Sequence, residues 1–191
     1  MKRKLLVFVS MVLCMAFVFS LSVDVFAGWY DPSMPSLSST NYCEFISPRS
    51  IAVFRDKACN TRGTCSPAKS YSTASIAKGD KCYAYEISES SIKVNYPTSS
   101  GRRTGYIRRS DISDIFSMKC SYGFISQGKI NVYTVDGIWY GYTEKNDTII
   151  CCWPYLDGCP NRLPIIYTAK SGNRGYKAGW VSLSDYHRIL S

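Results

Sequence analysis

Apolar and polar residues alternate over short stretches of this chain, which is the pattern of β-strands with one buried face. In residues 92–96, every second position is apolar and the positions between are polar. Residues 81–87 alternate in the same way, and the polar residues 88–91 between the two stretches predict a hairpin turn. No segment shows a sustained helical period. Short strands separated by Gly, Ser and Asp turns therefore predict an all-β fold.

The strand–turn–strand pattern occurs twice along the chain. Tyr96 is followed by Ser-Gly at 100–101 and by Gly-Tyr-Ile at 105–107, and Tyr167 is followed by Ser-Gly at 171–172 and by Gly-Trp-Val at 179–181. The two tyrosines are 71 residues apart. Ser-Gly supplies the positive φ that a hairpin turn needs. A repeat of this length predicts two copies of a small domain rather than a solenoid.

Other elements of the first copy also recur in the second, in the same order. Residues 51–54 are matched by residues 130–133, and the Gly-Asp turn at 79–80 is matched by Asn-Asp at 146–147. These matches give a first domain over residues 49–115 and a second over residues 116–191. The Ser- and Pro-rich residues 28–48 before them are interpreted as a linker.

The first 27 residues have the composition of an export signal. Lys2, Arg3 and Lys4 precede an uncharged apolar run over residues 5–23, and Val-Phe-Ala at 25–27 resembles a small-residue cleavage site. We therefore expect a signal helix over residues 1–27 and a secreted mature protein. If the segment stays uncleaved, it would instead tether the protein to the membrane as a sensor module, because its length is close to that of a membrane span.

Cysteine usage agrees with export. Eight of the nine cysteines lie after the predicted signal, and an even number in an exported protein predicts disulfides that staple small domains. The candidates are Cys43, Cys59, Cys65, Cys82, Cys120, Cys151, Cys152 and Cys159. The sequence leaves their pairing open, with Cys59–Cys65 and Cys152–Cys159 as local possibilities. No Cys-x-x-Cys pair is present and the single histidine is His187, so we expect no metal and no cofactor.

The first copy resembles the bacterial SH3 domain family. The resemblance rests on Lys-Gly-Asp-Lys-x-Tyr at 78–83, Ile-Lys-Val-Asn-Tyr-Pro at 92–97 and Ser-Gly-x-x-x-Gly-Tyr-Ile at 100–107. It covers residues 50–115 well and residues 118–189 more weakly, where the hairpin and Gly-Trp-Val remain. The resemblance implies two tandem SH3-like barrels, of a kind found in secreted and cell-wall proteins of Gram-positive bacteria. It also implies a binding rather than a catalytic role.

An enzyme is hard to build from these residues. A Cys–His nucleophilic pair would need His187, close to the end of the chain, and no third domain remains to carry such a site. No phosphate-binding loop, dinucleotide-type glycine fingerprint or metal-binding helix motif is present. We therefore expect a protein without catalytic residues.

Candidate ligand-binding residues are aromatic or basic, because such barrels usually take extended peptides in a groove. They are Tyr85, Arg102, Arg103, Tyr106, Trp153, Tyr176 and Trp180, with Trp139 and Tyr140 as further possible groove residues. The alternative for the aromatic residues is ordinary packing on half-buried strands. The alternative for the arginines is a solvated basic surface.

Charge favours an anionic partner. The chain carries a net charge of +9, and loss of three basic residues and one acidic residue with the signal would leave +7. We expect a secreted, non-enzymatic protein that binds peptidoglycan or another anionic wall polymer, with two linked sites raising avidity. The alternative is a disulfide-stabilised module that binds another secreted protein. Export disfavours nucleic acid as a partner.

Overall fold

The computed structural model describes residues 36–116, 120–152, 161–169 and 175–185. The predicted signal segment lies outside these residues. Within the described ranges, no helix is long and apolar enough to cross a membrane. The fold is mostly β-strand, as the alternating sequence pattern predicts.

The strands of the first half are β1 (Tyr42–Ile46), β2 (Ile51–Ala52), β3 (Gly63–Cys65), β4 (Ala68–Ser70), β5 (Ser75–Ile76), β6 (Lys81–Ile87), β7 (Ser91–Thr98) and β8 (Gly101–Arg108). A 3-10 helix at Arg109–Ile112 follows. The strands of the second half are β9 (Cys120–Ile125), β10 (Ile130–Tyr133), β11 (Trp139–Thr143), β12 (Thr148–Cys152), β13 (Arg162–Ala169) and β14 (Gly175–Ser182).

Each half repeats one strand order. In the first half, β1, β6, β7 and β8 are consecutive antiparallel neighbours, and β2 pairs with β5. In the second half, β9, β12, β13 and β14 have the same arrangement, and β10 pairs with β11. The four main strands of each half therefore pair in the same order.

The register of the two long hairpins also repeats. Tyr96 lies opposite Arg103 in the β7–β8 hairpin, and Tyr167 lies opposite Lys177 in the β13–β14 hairpin. Both tyrosines are 2% exposed, on the core face of their strands. The two tyrosines therefore have equivalent register positions in their hairpins.

The turn before β6 and the turn before β12 are built alike. In the first, the Ser47 N–H donates to the Asp80 carbonyl, and the Gly79 N–H donates to the Ser47 carbonyl. The second turn makes the same two hydrogen bonds with Ser126, Asn146 and Asp147. Gly79 has a φ of 87° and Asn146 a φ of 71°, a conformation that glycine and asparagine tolerate best.

Two closed barrels are not what the structure shows, and that part of the prediction is wrong. β1 pairs with β6 on one side and, in parallel, with β14 of the other half on its second side. Because β1 pairs across to the other half, the halves merge into one open sheet that runs from β8 to β9. β1 itself falls within residues 28–48, which were predicted to be a linker.

The hydrophobic core reflects this junction. One cluster of buried side chains draws on both halves, from Phe45 and Ile107 to Ile166 and Trp180. A second cluster, around Ile165, belongs to the second half alone. β13 and β14 are therefore covered on both faces, which explains the nearly continuous burial of residues 163–167.

The predicted disulfides are not formed among the cysteines whose side chains are described. Cys43, Cys59, Cys65 and Cys82 are all free, so the Cys59–Cys65 bridge is wrong. Cys43 and Cys82 are fully buried and pack in the shared core as small apolar residues. The side chains of Cys120, Cys151 and Cys152, and the whole of Cys159, lie outside the described part of the chain.

Candidate binding cleft

A cleft of about 220 Å³ opens on the second half beside β11. We call it the aromatic cleft. Its lining residues are Trp139, Tyr140, Gly141, Tyr142, Glu144, Asp147, Tyr167, Ala169 and Lys177. They come from β11, from the turn that precedes β12, and from the β13–β14 hairpin.

Exposed aromatic side chains form its walls. Trp139 is 60% exposed and Tyr142 is 40% exposed, and Ile138 just before β11 is 66% exposed. These are the large hydrophobic side chains left in solvent within the described residues. The ammonium group of Lys129 lies 4.0 Å from the centre of the Tyr142 ring. Ile138 does not line the cleft, whereas Trp139 and Tyr142 do, and exposed aromatic side chains that line a cleft usually mark a binding surface.

A largely buried tyrosine also lines the cleft. Tyr167 is 2% exposed. Gly141 leaves space above it, because a Cβ at that position would lie 3.4 Å from the Tyr167 hydroxyl oxygen. Burial raises the pKa of Tyr167, and the carboxylates of Glu44 and Asp147 add to the shift. The hydroxyl therefore keeps its proton and is available to a ligand as both donor and acceptor.

A polar cluster at the edge of the cleft joins it to the first half. The Tyr140 hydroxyl donates to Glu44 Oε1 at 2.7 Å, and the ammonium groups of Lys177 and Lys81 lie 3.7 and 3.8 Å from the same oxygen. The Glu44 side chain is 13% exposed. Burial and the hydrogen bond to Glu44 hold the pKa of Tyr140 far above its ordinary range. The cluster therefore fixes one wall of the cleft against β1.

The two carboxylates of the cleft have different surroundings. Asp147 is 2% exposed and accepts hydrogen bonds from the Glu144 N–H at 2.6 Å and from the Thr168 hydroxyl at 3.4 Å. It closes the turn before β12 and positions the rim. Glu144 also lines the cleft, and its side chain is exposed to solvent.

The site residues predicted in the first half contact the protein's own aromatic residues and do not line the aromatic cleft. Arg102 stacks on the Tyr83 ring at 4.4 Å and Arg103 on the Tyr71 ring at 4.9 Å. Tyr85 is half-buried in an edge-to-face contact with Tyr42. Tyr106 is also half-buried, and its backbone bridges to Phe54. These arginines are therefore held against the protein's own rings.

In the second half, the predicted residues separate further. Trp180 is 1% exposed within the shared core, so it is a packing residue and not an accessible ligand contact. Tyr176 is half-buried beside the same core, where its backbone lies opposite Cys43 of β1. Trp153 lies outside the described residues. Trp139 and Tyr140, considered from sequence as groove residues, do line the cleft.

Sequence reasoning missed Tyr142, Glu144 and Asp147 as members of one site. The feature of the sequence that indicates the site is the Trp-Tyr-Gly-Tyr run of β11, which has aromatic residues on both faces of one strand. A strand with one buried face normally carries polar residues on the other. Within the described residues, no cluster of three or more His, Cys, Asp or Glu side chains could hold a metal ion.

Comparison with known proteins gives no relative from which to transfer a function. No family model, curated protein or solved structure matches this chain.

Proposed function

We propose that this protein is secreted, lacks catalytic activity and binds the bacterial cell wall. Its two repeated units are taken as SH3-like modules, and the aromatic cleft of the second unit is the main contact. The repeated strand order, the glycine-containing hairpins and the matching registers support the module assignment. The net positive charge supports attraction to an anionic wall polymer.

The observation that carries the proposal is the aromatic cleft itself. Trp139 and Tyr142 keep much of their surface in solvent although the core has room for other aromatic residues such as Tyr96 and Trp180. Exposed aromatic side chains of this kind contribute large contact area when a partner covers them. The alternative of a disulfide-hardened module for another secreted protein has less support, because the four cysteines with described side chains are unpaired.

Sedimentation with purified peptidoglycan tests the proposal. The wild-type protein is expected to sediment with the wall at low salt and less completely at high salt, because part of the attraction is electrostatic. A variant with Trp139→Ala and Tyr142→Ala should bind at least roughly tenfold more weakly, since each aromatic contact contributes about 1 kcal/mol.

Ile138→Ala is the matched control, because Ile138 is equally exposed and adjacent but does not line the cleft. Failure of the wild type to sediment at low salt would refute wall binding. Equal sedimentation of the double variant and the control would show that binding does not use the cleft.

A further inference from the structure

We propose that the aromatic cleft binds a neutral sugar ring of the wall glycan rather than a charged or peptidic component. The inference rests on the proposed wall-binding function and names the chemistry that this cleft recognises.

The walls of the cleft suit the apolar face of a sugar. A pyranose ring carries a patch of C–H groups on one face, and such a patch packs against a flat aromatic ring. Trp139 and Tyr142 offer exposed rings at the cleft, in positions that a ligand can reach without moving the core. Stacking of this kind needs no charge on the ligand.

The polar groups of the cleft suit sugar hydroxyls. Tyr167 is 2% exposed as a residue and lines the cleft, and its hydroxyl lies beside Gly141, another lining residue. Glu144 presents a carboxylate acceptor at the rim, and Lys177 presents an ammonium donor. A sugar hydroxyl both donates and accepts, so one ring can satisfy all three kinds of group.

The charged residues that line the cleft have both signs. Glu144 and Asp147 are acidic and Lys177 is basic. A lining without a single sign of charge gives a strongly charged ligand little net attraction, and such a ligand loses hydration on entry.

The size of the cleft is consistent with one ring. Its volume of about 220 Å³ is below the roughly 300 to 1,000 Å³ of pockets that enclose drug-sized ligands. A longer glycan would place one sugar residue in the cleft and leave the others outside it.

Isothermal titration of the exported protein with two soluble probes tests the inference. The probes are a linear tetramer of N-acetylglucosamine and a stem tetrapeptide released from peptidoglycan. The sugar tetramer is expected to bind and the tetrapeptide is not. Trp139→Ala should weaken sugar binding roughly tenfold, and Tyr167→Phe should weaken it roughly three- to tenfold by removing one hydrogen bond.

The internal repeat supplies the controls. Tyr96→Phe removes a hydroxyl at the equivalent position of the first unit, which has no role in the cleft, and Ile138→Ala removes an exposed neighbour. Both should bind the sugar as the wild type does. Binding of the tetrapeptide alone, of neither probe, or of the sugar with unchanged affinity in Trp139→Ala would each overturn the inference.

These outcomes are separable from the proposed function. Sedimentation with whole peptidoglycan without sugar binding would keep wall binding and refute the sugar. Sugar binding without sedimentation would do the reverse.

Discussion

Replacing Gly179 or Gly105 by alanine should destabilise the protein by similar amounts. The two glycines are equivalent in the repeat, and each lets β14 or β8 pass directly over a neighbouring valine. A Cβ on Gly179 would lie 2.5 Å from Val132 Cγ1 and 3.1 Å from the Tyr133 carbonyl oxygen. A Cβ on Gly105 would lie 2.3 Å from Val53 Cγ1.

The magnitude follows from these distances. Carbon atoms in contact normally lie about 3.5 Å apart, so the valine must move by about 1 Å in each case. Val53 and Val132 are fully buried and their β-branched side chains have few alternative rotamers. Overpacking of this kind lowers the free energy of unfolding by about 1–3 kcal/mol. Alanine also restricts the unfolded backbone more than glycine does, which raises the free energy of unfolding by about 0.5 kcal/mol.

Urea unfolding followed by circular dichroism is the assay. Each variant should lose about 1–2 kcal/mol of unfolding free energy, which corresponds to roughly 2–8 °C in Tm. Gly128→Ala is the matched control, because nothing lies within 4 Å of a Cβ there. If Gly105→Ala and Gly179→Ala are as stable as Gly128→Ala, the close strand contacts described here are wrong.

Three further predictions concern the turns, the polar cluster and the thiols. Gly79→Ala should lower the free energy of unfolding by about 1 kcal/mol, because a positive φ is unfavourable for alanine. Asn146→Gly should leave it unchanged or raise it slightly. The urea unfolding midpoints of the two variants and the wild type check both predictions. Tyr140→Phe should cost about 1.5–3 kcal/mol for its bond to a carboxylate. Because folding raises the pKa of Tyr140, the stability that its hydroxyl contributes is complete below about pH 10 and is lost as the pH rises further. The unfolding free energy of Tyr140→Phe should therefore fall less steeply above pH 10 than that of the wild type. An equal slope for the two proteins would contradict this. Burial raises the pKa of the Cys82 thiol to about 12 and also raises the pKa of the Cys43 thiol. At pH 8, iodoacetamide should therefore label both thiols in urea and neither thiol in the folded protein. If neither is labelled in urea, the two cysteines are in disulfides instead.

The local pattern of apolar and polar residues is sufficient to predict strands and their register where buried and exposed positions alternate. Ile92, Val94 and Tyr96 of β7 are buried in the core as their alternation predicts, and the glycine-containing hairpins predict the equivalent register of Tyr96 and Tyr167. In such hairpins the turn fixes the register, so a short stretch of sequence contains the necessary information.

The junction between the halves could not be predicted in the same way. β1 pairs in parallel with β14, although the paired residues are more than 130 positions apart in the sequence. Nothing in the local sequence of either strand indicates which strand it pairs with. Glu44 alternates with the buried residues Cys43 and Phe45 as a solvent-facing residue would, yet it is largely covered by the other half. Long-range pairing therefore replaced the expected barrel closure.

The free cysteines and the cleft are two further features that the sequence alone does not predict. Cys43 and Cys82 occupy core positions of alternating strands, where a free thiol packs as well as another small apolar residue. The cleft combines β11 with residues of the β13–β14 hairpin, and only folding brings Tyr167 beneath Gly141.

An NMR titration of the protein with solubilised peptidoglycan fragments tests most directly whether the aromatic cleft binds the wall. The Trp139 indole N–H and the amides of Gly141, Tyr142 and Glu144 are expected to shift together. The amides around Arg102 in the first unit should remain unchanged. Shifts confined to the first unit, or no shift at Trp139 under saturating fragments, would contradict a wall-binding cleft in the second unit.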